Sequence, residues 1–157
     1  MTGNDYRKLI GRYVARAYEA RGVVVYEEVS LGTSIIGKRR RVDLLVVDPA
    51  AGKALALECK YQDSSGTADE KIPYALQDLA AMGVPGVIAY AGQGFSEGVL
   101  HLLQSSERAA YCLPAEDLLP RPWRSGESID SGTWQLDHEL AMTFGWWDLI
   151  VAGKQPL

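Results

Sequence analysis

The chain has 157 residues, of which 47% are apolar and 23% charged, a size and balance that suit one compact globular domain rather than a disordered or multidomain protein. With 16 basic against 20 acidic side chains the net charge is -4, so any attraction to a polyanion must be local rather than a property of the whole surface. No run of roughly 18 apolar residues is present to span a bilayer, and the start, MTGNDYRKLIGRY, lacks the apolar segment of a signal peptide, so a soluble, cytoplasmic protein with no membrane role is expected.

Along the chain, Tyr6, Leu9, Ile10, Tyr13, Val14 and Ala17 recur at helical spacing and Gly22 supplies a stop. VVVYEEVSL reads as a strand, GTSIIGK as a glycine-containing connection, and RRVDLLVVDPAAGKALALECKY as two further strands joined by a Pro/Gly turn. In IPYALQDLAAMG the apolar residues return to helical spacing, with Gly83 and Pro85 as terminators. TADE could form a capping box from Thr67 to Glu70, but Pro73 would then lie too deep in the helix, so a separate turn at 67 to 71 and a helix starting near Pro73 are expected. PGVIAYAG reads as a buried strand, SEGVLHLLQSS as a short helix and AAYCLP as another strand, giving the order α-β-β-β-α-β-α-β. Residues 120 to 133 read as a polar loop, and WQLDHELAMTFGWWDLIVAG as a helix followed by a short strand or tail.

Cys59 and Cys112 are the only cysteines and lie within or beside apolar runs, without the CxxC spacing of zinc or redox sites, so both are expected as buried thiols. GKRRR sets Lys38, Arg39, Arg40 and Arg41 in a row, whereas acids gather in SERAAYCLPAEDLL and GESIDSG. Such a basic stripe is compatible with phosphate contacts and equally with a charged loop or edge strand that resists pairing.

The hairpin over residues 42 to 61 carries the chemistry. In ALALECKY, Ala54, Ala56, Glu58 and Lys60 share one face and Leu55, Leu57, Cys59 and Tyr61 the other, the second being core and the first carrying charge. If PAAG is the turn, so that Asp48 meets Lys53, Asp43 falls opposite Glu58, with Cβ atoms roughly 4.5 to 5.5 Å apart. Two facing carboxylates repel unless a cation or a shared proton lies between them. Hard oxygen donors with positions left to water and phosphate suit Mg²⁺ or Mn²⁺ rather than zinc. Lys60, further along the same face, can orient a metal-bound water and offset charge on the transition state of phosphodiester hydrolysis. A one-residue slip of register would move Asp43 to the other face and dissolve the site.

Asp43 followed after a hairpin turn by Glu58-Cys59-Lys60, on a meander with a helix before and after it, resembles the PD-(D/E)XK nuclease superfamily. The resemblance covers about residues 5 to 113 and implies a restriction-endonuclease-like α/β fold, a mixed central β-sheet flanked by helices with core order α-β-β-β-α-β. Residues 1 to 157 are then a single nuclease-like domain, with 114 to 157 as a C-terminal extension. The resemblance also implies a divalent-metal-dependent endonuclease, usually acting on DNA, with Asp43, Glu58 and the backbone carbonyl of Cys59 as metal ligands and Lys60 placing the nucleophilic water. Val42 stands where the superfamily's name has Pro.

Gln62 continues the face of Glu58 and Lys60 and is a candidate for a phosphate or a metal-bound water. Gln77 and Tyr74 fall on the following helix, where some members of the superfamily carry an active-site Gln and Tyr, and Glu19 on the first helix could add a carboxylate but reads as solvated. His101 reads as a partly buried surface residue rather than a ligand, and His138, with acids on both sides, as making no metal site. Trp123, Trp134, Trp146 and Trp147 could stack on single-stranded bases, although packing of the C-terminal segment is the plainer use. The alternative function is a non-catalytic module that binds nucleic acid through Lys38 to Arg41, or binds a protein. A chain this short and acidic is expected to act as a homodimer or with a partner that supplies specificity.

Overall fold

In a computed structural model, which describes residues 1–116, 120–124 and 132–157, five strands form one sheet in the order β1-β2-β3-β4-β5. Strands β1 (Val24–Thr33), β2 (Arg39–Asp48) and β3 (Lys53–Tyr61) are antiparallel neighbours, and β4 (Gly86–Ala91) and β5 (Ala109–Tyr111) continue the sheet in parallel. Helices α1 (Gly3–Ala17), α2 (Ala68–Ala81), α3 (Glu97–Ser105), α4 (Trp134–Phe144) and α5 (Trp147–Ile150) fill the connections and the C-terminus.

Helix α1 starts where local chemistry dictates. The Thr2 hydroxyl accepts the Asp5 amide at 3.1 Å and the Asp5 carboxylate accepts the Thr2 amide at 2.9 Å, a reciprocal cap. Its apolar stripe, with α4 and Trp146, covers the face of the sheet that bears Leu44, Val46, Leu55, Leu57, Val87 and Ala89. Helices α2 and α3 cover the other face through Ile72, Leu79 and Leu103, packed on Ile88 and Tyr90. Strand β4 is therefore buried along its whole length, the condition of a parallel strand covered on both sides.

Two sequence expectations are corrected here. Helix α2 starts at Ala68 rather than near Pro73, and Pro73 lies inside it. Thr67 makes no side-chain cap; the first free amide, that of Ala68, is instead taken by Gln62 Oε1 at 3.0 Å, so a tertiary contact offsets what Pro73 costs. The face of β3 that carries charge is not a solvated one, since Ala56 is fully buried there and Glu58 and Lys60 are mostly buried. Of the short strand or tail expected after α4, the tail is what the structure has, preceded by one helical turn, α5. Of the loop expected at 120 to 133, residues 125–131 lie outside the described residues, as do most of the acidic GESIDSG stretch and residues 117–119 of the other.

Trp146 is buried, stacked on Tyr18 at 4.7 Å and Phe144 at 5.2 Å with Arg21 over its ring, and Trp123 is buried too, whereas Trp147 is half exposed. Helix α4 is tied to α1 by Asp137, which is fully buried and accepts the hydroxyls of Tyr13 and Tyr18, each at 2.7 Å. Replacing Asp137 with alanine strands two buried donors and is expected to cost about 2–3 kcal/mol, lowering the melting temperature by about 5–10 °C. An unchanged melting curve would show that the tyrosines find other acceptors at no cost.

Candidate active site

The β2–β3 ladder has the register expected from the PAAG turn, from Asp48↔Lys53 through Leu44↔Leu57. It stops there, one step short of Asp43. On the other side β1 pairs Glu27 with Leu44 and Val29 with Val42 but skips Asp43, and Glu28, which would face it, adopts a left-handed φ of 54°. A non-glycine residue in that region carries strain of order 1 kcal/mol, and such strain gathers where a fold must break regularity. Asp43 thus sits at a local break in the sheet. Its Oδ2 accepts the backbone amide of Cys59 at 2.7 Å, so the two carboxylates are not the simple cross-strand pair that the sequence suggests.

They are close all the same. Glu58 has its carboxyl pushed up to about 7, first by burial and then by the negative charge of Asp43, which also accepts a hydrogen bond from the protonated acid, while Lys60 pulls it back down. Lys60 Nζ lies 3.4 Å from Glu58 Oε2, and both side chains are mostly buried. The Cys59 thiol is held well above its usual range by burial and by the same two carboxylates, so it offers no thiolate and only its backbone is available as a ligand.

Glu58 and Lys60 form part of the wall of a cleft of about 460 Å³ between the β1–β2 connection and α2; Asp43 lies beside Glu58 rather than on the wall itself. Lys38, Arg39, Arg40 and Arg41 all line this cleft, joined by Lys71 and Tyr74 of α2. Six cationic side chains thereby face two acids, Glu58 and Asp78, in a protein whose net charge is negative. Not all six are equally available. Arg40 is fixed on Asp78 by bonds of 2.9 and 3.0 Å, and Arg41 meets Glu28 at 2.6 Å, whereas Lys38, Arg39 and Lys71 are exposed.

The other candidates lie elsewhere. Gln62 is buried and fully occupied: besides the Ala68 amide, its Nε2 donates to Gly94 O at 2.8 Å and Asp69 Oδ1 at 3.2 Å. It clamps the loop after β4 to the start of α2, and Gly94 is required there because a Cβ would come within 2.4 Å of the Ser64 backbone. Gln77 is exposed on α2 outside the cleft lining, and Glu19 is exposed in a 3₁₀ turn, Glu19–Arg21, after α1. Lys71 is the residue that the sequence reading missed. Its spacing to Tyr74, Ala75 and Asp78 marks one helix face, a signal that a helix starting near Pro73 does not contain.

Among the described residues no group of three or more His, Cys, Asp or Glu side chains converges on one point. The donor set is two carboxylates, and it fits a hard divalent cation, which commonly takes one or two carboxylates and completes its shell with water, a carbonyl or phosphate. Burial first, and then the charge of Asp43, drive up Glu58, and a cation bound there would offset both.

That crowding has a measurable consequence in chelator. Unfolded, Glu58 titrates near 4.5; folded, near 7, so between these values the folded state holds a proton that the unfolded state has lost. Stability from this group is complete below about pH 4.5 and falls as pH rises to about 7, by up to about 3 kcal/mol. Thermal melts of wild type and Glu58→Gln between pH 5 and 8 should show this slope only in the wild type; parallel curves would contradict the crowding.

The family model of the PD-(D/E)XK nuclease superfamily domain matches residues 2–147. The chain belongs to the PD-(D/E)XK nuclease superfamily, and its mixed five-stranded sheet between helical layers is the restriction-endonuclease-like fold. Among curated proteins none matches. Among solved structures the chain is similar to "Crystal Structure of Protein of Unknown Function AF1548", with 14% identity and a TM-score of 0.43 over 66% of this chain and 54% of that one, so it spans about half of that protein's length. No helix among the described residues is long and apolar enough to cross a membrane.

Proposed function

We propose that the protein is a divalent-metal-dependent endonuclease that hydrolyses phosphodiester bonds in DNA. The observation that supports this most is the meeting of Glu58, Lys60 and the neighbouring Asp43 with a cleft lined by cations. Asp43, Glu58 and the Cys59 carbonyl would hold Mg²⁺ or Mn²⁺, and the ion would supply an activated water and Lewis-acid stabilisation of the scissile phosphate.

The chain's own residues do the rest. The Cys59 amide fixes the Asp43 carboxylate at the break in the sheet. Burial keeps water away from Glu58 and strengthens every charge interaction around it. The Lys60 ammonium, held by Glu58, is placed to donate to the nucleophilic water or to a phosphate oxygen as negative charge builds. Lys38, Arg39 and Lys71 bind flanking phosphates and release their counterions, so affinity should fall steeply with salt. The small cleft gives little surface for reading a long site, and a homodimer or a partner protein supplies specificity.

The test is incubation of the purified protein with labelled duplex DNA and Mg²⁺ or Mn²⁺, with chelator and Glu58→Gln as controls. Metal-dependent cuts that disappear in both controls support the reading. Salt-sensitive binding without cleavage in any metal would replace it with that of a non-catalytic nucleic-acid-binding module.

A further inference from the structure

The connection between β1 and β2 runs Ser34-Ile35-Ile36-Gly37-Lys38. It is a tight, internally bonded tip: the Ser34 amide donates to Lys38 O at 2.7 Å, the Gly37 amide to Ser34 O at 3.0 Å, and the Lys38 amide to Ser34 Oγ at 3.2 Å. Gly37 has a φ of 76°, which lets the turn close. The tip is also anchored from outside. The Ile35 amide donates to Asp78 Oδ1 of α2 at 3.0 Å, and Arg40 binds both oxygens of the same carboxylate and Leu31 O.

On this rigid mount the two isoleucines are left 44% and 59% exposed. A turn is usually built from polar residues, and nothing among the described residues buries these two. Immediately after them come Lys38 and Arg39, and Ser34 and Lys38, on either side of the pair, line the cleft that holds Glu58 and Lys60. Apolar tip, flanking cations and reactive groups thus lie together.

We propose that Ile35 and Ile36 form a wedge that inserts between base steps of a double-stranded nucleic acid bound in the cleft, unstacking it next to the scissile phosphate. The inference rests on the nuclease reading and deepens it by naming the substrate as a duplex opened by the enzyme itself. Branched aliphatic side chains pushed between base steps kink and unstack a duplex when neighbouring cations hold its phosphates. Lys38 and Arg39 supply those cations, and their charge favours a polyanion over an acid-poor protein surface. The hydrogen bonds that fix the tip spare it the entropy of ordering on binding.

The test compares wild type with the double variant Ile35→Ser, Ile36→Ser, after melting curves have established that both fold. Two duplexes of one sequence are used, one fully paired and one with a short unpaired bubble at the cut site, each carrying 2-aminopurine as a stacking reporter. In chelator the wild type should brighten the reporter in the paired duplex and the variant should not. With Mg²⁺ the variant should cut the paired duplex at least ~10-fold more slowly than wild type yet cut the bubble duplex within about twofold, because the unstacking cost of a few kcal/mol is already met there. Equal wild-type and variant rates on both duplexes would overturn the wedge and leave the nuclease standing, and so would an equal loss on both. A wild-type dimer that dissociates in the variant, with the reporter unchanged, would overturn it in favour of an interface between copies. Failure of the wild type to cut either duplex would overturn the nuclease reading and the wedge with it.

Discussion

Asp43→Ala is expected to lower phosphodiester cleavage by about three orders of magnitude or more while leaving the fold in place. The first half of the expectation follows from the role proposed for it: as one of two side-chain oxygen donors to the metal it would supply stabilisation worth several kcal/mol at the scissile phosphate, which translates at 1.36 kcal/mol per tenfold. The second half follows from a balance of two effects. The variant loses the hydrogen bond to the Cys59 amide, worth about 1 kcal/mol, but also loses the negative charge that crowds Glu58. Its melting temperature should therefore move by only a few degrees, and the stability slope between pH 5 and 7 should shrink in part, because burial, the larger cause, still holds Glu58 up. Cleavage at wild-type rate would remove Asp43 from the site. A collapse of the fold would make its role structural.

Lys60→Ala should separate metal binding from chemistry. The ammonium lies 3.4 Å from Glu58, and in the proposed mechanism it meets a developing charge rather than the metal, so Mn²⁺ affinity should change little while the rate falls by about 10²–10³. Removing Lys60 also removes the cation that holds Glu58 down, so the metal-free stability slope should extend to higher pH. Equal loss of Mn²⁺ binding and of rate would instead make Lys60 a prop for the carboxylates.

The hairpin that carries the candidate site was legible in the sequence because it has a short turn and a two-residue period. Once Asp48 meets Lys53, the positions of Leu44, Leu57 and their neighbours follow, and the observed register agrees. The sequence did not show that the ladder stops at Leu44 or that β1 skips Asp43, where Glu28, 15 positions before it, has a left-handed backbone that leaves no mark in its side-chain type. Helix α2 was misplaced for a related reason. Local rules make Pro73 a starting residue, but the Gln62 side chain caps the helix from outside it, and only the fold brings Gln62 and Ala68 together. That one error hid Lys71 and left Gln62 looking like a site residue when it is a buried clamp. Arg40 carries the same lesson. Four basic residues in a row look alike in sequence, yet Asp78 fixes one of them and leaves its neighbours Lys38 and Arg39 exposed toward solvent.

The most direct test of the account is calorimetric titration of Mn²⁺ into the protein at a pH above 7, where Glu58 is ionised, alongside the same titration into Asp43→Ala. The account predicts saturable binding in the wild type that is lost in the variant, with protons released as the pH is lowered toward 7. No binding in the wild type, or equal binding in both, would contradict it.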